Sequence, residues 1–113
     1  MTSGLKTVIY PVRDLEAAKR LFTALLGAEP AMDEPYYVQF HDADQEIGLD
    51  PHGHDKGMTG PVAYWHVDDI EATFAAVVAA GATEQQPVQS VGGTRRIATV
   101  TDTDGNVVGL LQP

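Results

Sequence analysis

The chain has 113 residues, a formal net charge of −9 and no cysteine. That length fits one domain or two half-domains sharing a core. The missing thiols exclude disulfides and thiolate metal ligands, and the acidic balance excludes a surface that tracks nucleic-acid phosphates. No run of about 18 apolar residues is present to span a membrane, and the N-terminus lacks the basic and apolar stretches of a secretory signal, so a cytoplasmic protein is expected. The excess of carboxylates aids solubility and attracts cationic ligands.

Leu5 to Val12 alternates and is rich in β-branched residues, which predicts a strand. Asp14 can cap the following helix, and Glu16 suits the positive end of its dipole. Leu15, Ala18, Phe22, Leu25 and Leu26 recur at helical spacing and are expected to face the core, with Gly27 supplying a left-handed C-terminal position. Tyr36–Asp42 and Glu46–Asp50 then predict a hairpin around Asp42-Ala43-Asp44-Gln45. The glycine-rich stretch from Pro51 to Pro61 reads as a linker. Beyond it come a strand over Pro61–Val67, a helix over Asp69–Ala80 and a weak strand over Thr83–Val88. A second hairpin, Thr94–Thr101 with Asn106–Leu111, carries a strong turn signal at Asp104-Gly105.

The chain repeats itself. Val12-Arg13-Asp14-Leu15-Glu16-Ala17 returns 55 residues later as Val67-Asp68-Asp69-Ile70-Glu71-Ala72. Each copy follows a strand and opens a helix that stops at glycine, Gly27 or Gly81. Asp42-Ala43-Asp44 with Ile47-Gly48-Leu49 is answered by Asp102-Thr103-Asp104 with Val108-Gly109-Leu110. Two copies of one supersecondary unit follow, each β-α-β-β-β with its second strand the weakest. The expected division is module one over 1–51, a linker over 52–60 and module two over 61–113.

These paired junctions, the helix-ending glycines and Asp102-Thr103-Asp104-Gly105-Asn106 resemble the vicinal oxygen chelate superfamily. That group includes glyoxalase I, extradiol dioxygenases, fosfomycin-resistance enzymes and bleomycin-resistance proteins. The resemblance covers nearly the whole chain and implies an α+β fold, two βαβββ modules whose curled mixed sheets enclose a cavity, commonly in a homodimer. It also implies metal ligands on the first and last strands of each module. Carried onto this chain, those positions are Thr7, Gly48, Val62 and Gly109. Together they offer one neutral hydroxyl, where a divalent ion needs about three or four N, O or S donors. A slip of one residue supplies nothing better, so no metal and no other cofactor is expected. His52 and His54 form a His-x-His pair in the glycine-rich loop and read as solvated loop histidines.

Strand alternation sorts the remaining candidates. Val38 and Phe40 match Ala98 and Val100 across the repeat and are expected beneath the helices, as is Trp65. The opposite face then carries Tyr37, Gln39, His41 and Asp50 in module one, and Tyr64, His66, Arg95, Ile97, Thr99 and Leu111 in module two. Apolar surface with a few convergent polar groups is the makeup of a small-molecule site. Tyr37, Gln39, Asp50, Tyr64, His66 and Arg95 are the expected ligand contacts. Three of them also have a structural reading: Asp50 before Pro51 as a turn-former, His66 as a hydrogen-bonded sheet histidine, Arg95 or its neighbour Arg96 as a solvated cation.

The reading that follows is a metal-independent binding protein for a small organic ligand, cationic by preference, without nucleic-acid or membrane partners. The alternative is a metal-independent isomerase or lyase in which His66 acts as general acid–base, oriented by Asp50 or Arg95.

Overall fold

A computed structural model describes residues 2–113. It divides into two compact units: residues 6–62, and residues 63–113 together with 2–5.

The first unit contains β1 (Thr2–Pro11) from Lys6 onward, α1 (Leu15–Leu26), β2 (Met32–Glu34), β3 (Tyr37–Asp42) and β4 (Gln45–Asp50). β4 lies parallel to β1 and antiparallel to β3, which in turn pairs antiparallel with β2. The Asp14 carboxylate caps α1 by accepting from the Ala17 N–H at 3.0 Å, and Gly27 ends the helix in the left-handed region at φ 66. Val38, Phe40 and Leu49, each 0% exposed, form a core against Leu15, Ala18, Phe22 and Leu26 of the helix and Tyr10 and Ile47 of the sheet. Leu25, expected on that face, is instead 69% exposed. It lies about 80° around the helix from Leu15, at the margin of the buried arc.

The second unit repeats the plan with β5 (Val62–Val67), α2 (Ile70–Ala79), β6 (Thr83–Ser90), β7 (Arg96–Thr101) and β8 (Val107–Gln112), in the order β5-β8-β7-β6. Asp69 caps α2 through the Ala72 N–H at 3.1 Å. The Gln112 side-chain oxygen also accepts the Ile70 N–H at 2.9 Å, tying the helix start to the end of β8. Val67, Ile70, Ala98 and Leu110 make the core, with Phe74, Val77 and Val88 against it. Trp65 is a correction: expected beneath the helix, its side chain belongs to a residue 38% exposed. The main contacts of α2 are with β6, β7 and β8, and on β5 it is Val67, two residues beyond Trp65, that joins the core with Ile70.

The two hairpins turn by different chemistry. Asp42 pairs with Gln45, leaving Ala43 at φ 55 in the turn. In the other, Asp102 Oδ1 accepts the Asp104 and Asn106 N–H groups at 2.9 Å, its Oδ2 accepts Asn106 Nδ2 at 2.9 Å, and Gly105 takes φ 86. The Asn106 side chain foremost, then these backbone donors, hold the Asp102 carboxyl below its ordinary value. A carboxylate with a lowered folded pKa stabilises the fold above its unfolded pKa, and loses that contribution as pH falls through the folded value. Asp102→Ala is therefore expected to remove part of the acid-side decline in melting temperature, measured from pH 6 down to about pH 3. An unchanged decline would mean the turn is not formed by this carboxylate.

The stretch from Pro51 to Pro61, expected as a linker, contains an ordered turn. Gly53 N–H donates to Asp50 O, Met58 N–H to Gly53 O, and His54–Lys56 forms a 3-10 turn. A Cβ at Gly53 would lie 2.6 Å from Pro11 Cβ, so the loop is seated directly on the end of β1.

Candidate functional site

In each unit the helix covers one sheet face, and the chemistry-bearing residues lie on the other. In the first unit, cross-strand register builds this face in rows. Thr7, Glu46 and His41 form one row, Ile9, Gly48 and Gln39 the next, and Pro11 and Asp50 the third. Thr7 is 1% exposed and donates its hydroxyl to Glu46 Oε1 at 2.8 Å. Gln39, 9% exposed, bonds His41 at 3.2 Å between the two Nε2 atoms; if the amide donates, the imidazole proton sits on Nδ1. Tyr37, half-buried, leans its ring across Gly48: a Cβ there would meet the phenolic oxygen and lie 2.7 Å from Cζ. Asp50 is buried, but its carboxylate is engaged locally. Oδ1 accepts the His52 N–H at 2.8 Å and Oδ2 the Lys56 ammonium at 2.9 Å.

The second unit has matching rows: Tyr64, Gly109 and Thr99, then His66, Leu111 and Ile97. Tyr64 and His66 are buried, at 5% and 8% exposed. Tyr64 occupies the space over Gly109, where a Cβ would sit 2.5 Å from Tyr64 Cδ1 and 2.8 Å from the Ala63 carbonyl oxygen. The Thr99 hydroxyl donates to Gln85 Oε1 at 2.8 Å. The arginine pair separates cleanly. Arg96 reaches toward the helix, with Nη1 3.1 Å from Glu71 Oε1 and Nη2 3.4 Å from Gln112 Oε1. Arg95, half-buried just before β7, is fixed by backbone bonds to Val91 and Gly92.

Sequence reasoning overlooked Glu46. Its signal was available, because residues 46, 48 and 50 share one face by the two-residue period. What alternation alone does not reveal is the hydroxyl that fixes its carboxylate.

The donor set does not suit a divalent cation. Thr7 contributes one hydroxyl already given to Glu46, Val62 contributes nothing, and the two glycines are overlain by tyrosine rings. Among the described residues, no group of three or more His, Cys, Asp or Glu side chains gathers to hold a metal ion.

Two βαβββ units, each a four-stranded mixed sheet backed by one helix, define the fold class. The chain belongs to the Glyoxalase/Bleomycin resistance protein/Dioxygenase superfamily, whose profile matches residues 4–110. No curated protein matches it in sequence. Among solved structures, it is similar to a glyoxalase/bleomycin resistance protein/dioxygenase superfamily member from Vibrio splendidus 12B01 at 18% identity. The TM-score is 0.71, over 99% of this chain and 98% of that one. Methylmalonyl-CoA epimerase from Mycobacterium tuberculosis is also 18% identical with TM-score 0.73, over 99% and 89%. The Mn(II)-bound glyoxalase from Novosphingobium aromaticivorans is 20% identical with TM-score 0.71, over 98% of this chain and 39% of that one. At these identities the likeness is one of fold, and activity has to be argued from the residues.

Proposed function

We propose that this chain is a metal-independent small-molecule-binding protein that sequesters a drug or metabolite. The observation that carries the reading is the pairing of each ligand-position glycine with a tyrosine. Tyr37 takes the volume over Gly48, and Tyr64 the volume over Gly109. In those two places a carboxylate ligand would have to stand where an aromatic ring now lies. Tyr37 and Gln39 on one helix-free face, and Tyr64, His66 and Arg95 on the other, supply the mix of aromatic surface and polar groups that orients an organic ligand. The surplus of carboxylates favours a cationic one. The protein is read as a cytoplasmic homodimer, with the assembly checked by light scattering.

The test combines metal analysis of the purified protein, melting scans with zinc, nickel and manganese, and calorimetry with cationic glycopeptide and aromatic antibiotics. Metal-free protein, no ion-dependent shift in Tm and saturable binding of one of these compounds is the expected result. Near-stoichiometric bound metal would overturn metal independence, and no binding by any compound would remove the drug-sequestering version.

A second reading, a metal-independent isomerase or lyase, rests on His66. It is buried beside Leu111, where an imidazole's basicity responds strongly to its neighbours. In this reading His66→Gln abolishes turnover while leaving ligand affinity within a fewfold of the parent.

A further inference from the structure

The ordered turn after β4 carries a second feature of the first unit. A groove of about 350 Å³ is lined by Arg13, His54, Gly57, Met58 and Thr59. Every polar side chain in that lining can donate a hydrogen bond, and none is a carboxylate. This is unusual in a chain with 16 acidic and 7 basic side chains. The basic side chains elsewhere are largely neutralised: Lys6 by Asp44, Lys19 by Glu16 and Asp33, Lys56 by Asp50, Arg96 by Glu71. Arg13 is exposed, and among the described residues its guanidinium has neither a hydrogen-bond nor an ion-pair partner.

His54 gives the second observation. Its Nδ1 is buried with no hydrogen-bond partner. Protonating that nitrogen would leave a donor orphaned away from water, which is unfavourable. A ring with its proton on Nε2 avoids that orphaned donor and gives His54, a lining residue of the groove, an N–H to offer. Thr59 adds a hydroxyl, and Met58 an apolar wall. The nearest acidic neighbours in sequence are turned to other work, Asp14 to the Ala17 N–H at 3.0 Å and Asp55 toward His52 at 3.9 Å. Seating of Gly53 on Pro11 keeps the loop in place, so little ordering is needed on binding.

We infer that this groove is a binding site for a small oxyanion, a carboxylate or phosphoryl group, held by the Arg13 guanidinium, His54 Nε2–H and the Thr59 hydroxyl with its organic stem against Met58. Arg13 is the principal contact, because guanidinium grips either oxyanion in a bidentate manner. The chain's overall negative charge does not forbid this. At physiological salt, carboxylates more than about 8 Å away are largely screened.

The experiment is an NMR titration of the ¹⁵N-labelled full chain with inorganic phosphate and, separately, with butyrate at constant ionic strength. Saturable shifts concentrated at Arg13, His54 and Gly57–Thr59, with Arg13→Met weakening binding by about tenfold or more, are expected. Tighter phosphate binding would identify a phosphoryl site, and tighter butyrate binding a carboxylate site with a use for Met58. Arg13 is exposed, so the variant's spectrum elsewhere should stay unchanged and report an intact fold. The inference is overturned if neither anion saturates these amides, or if Arg13→Met binds as the parent does.

Discussion

Replacing Phe40 with alanine is expected to lower stability by about 3–5 kcal/mol, measured by urea unfolding. Phe40 is 0% exposed, sits between Val38 and Leu49 in the core of the first unit, and stacks obliquely on Phe22 with centroids 6.2 Å apart. Phe22 in turn meets Tyr10 at 5.0 Å, so the ring is the base of a three-aromatic stack that fastens α1 to the sheet. Truncation leaves a void under the helix that close-packed neighbours fill only in part. Against a total stability of about 5–15 kcal/mol the loss is severe, equivalent to roughly 15 °C in Tm for a domain of this size. Leu25→Ala is the matched control. Its side chain belongs to a residue 69% exposed, and the change should stay within about 0.5 kcal/mol. A small effect at Phe40 would mean that α1 is not anchored through this cluster.

The second large effect is expected at Gly109. A Cβ there lies 2.5 Å from Tyr64 Cδ1 and 2.8 Å from the Ala63 carbonyl oxygen. The first obstacle is a ring that can move, the second is backbone in a paired strand. Gly109→Ala is therefore expected to cost about 3 kcal/mol, at the upper end of overpacking penalties, and Tyr64→Ala should recover only part of it. Gly48 is the informative contrast, because the three nearest atoms a Cβ would meet there belong to the Tyr37 side chain. Gly48→Ala alone should cost about 1–3 kcal/mol. In the Tyr37→Ala background most of that added cost should vanish, giving a coupling energy of about 1 kcal/mol or more in a double-mutant cycle. If the two glycine substitutions behave alike and additively with their tyrosines, the rings do not occupy the ligand-position volumes, and the support for metal independence falls with them.

That pairing of glycine with tyrosine marks the limit of what residue types reveal. Thr7, Gly48, Val62 and Gly109 announce a weak donor set on inspection. Nothing in their spacing says that Tyr37, eleven residues from Gly48, lies over it. Contact of that kind depends on antiparallel register, Val38 against Leu49, which brings residue 37 diagonal to residue 48. The same holds for Glu46, whose carboxylate is fixed by Thr7 from a parallel strand 39 residues away in sequence. Trp65 and Leu25 failed as expected core residues for a related reason. Periodicity tells which side of an element a residue occupies, but not how wide an arc of the helix, or how much of the sheet beneath it, the contact covers.

Residue order was enough for the two βαβββ repeats, the carboxylate cap at Asp14, the turn at Asp104-Gly105, and which strand face each helix covers. These are local matters, set by backbone donors at helix ends, by turn residues and by the two- and 3.6-residue periods, all of which a single chain carries in linear order. Side-chain competition in three dimensions was needed to show that Asp50 is bound into the loop by Lys56 and His52, that Arg96 rather than Arg95 turns to the helix, and that the glycine-rich stretch contains an ordered turn whose His54 shares a groove with Arg13 from the β1–α1 junction. Those outcomes depend on side chains distant in sequence competing for the same donors and the same volume, and that competition is resolved only once the strands are in register.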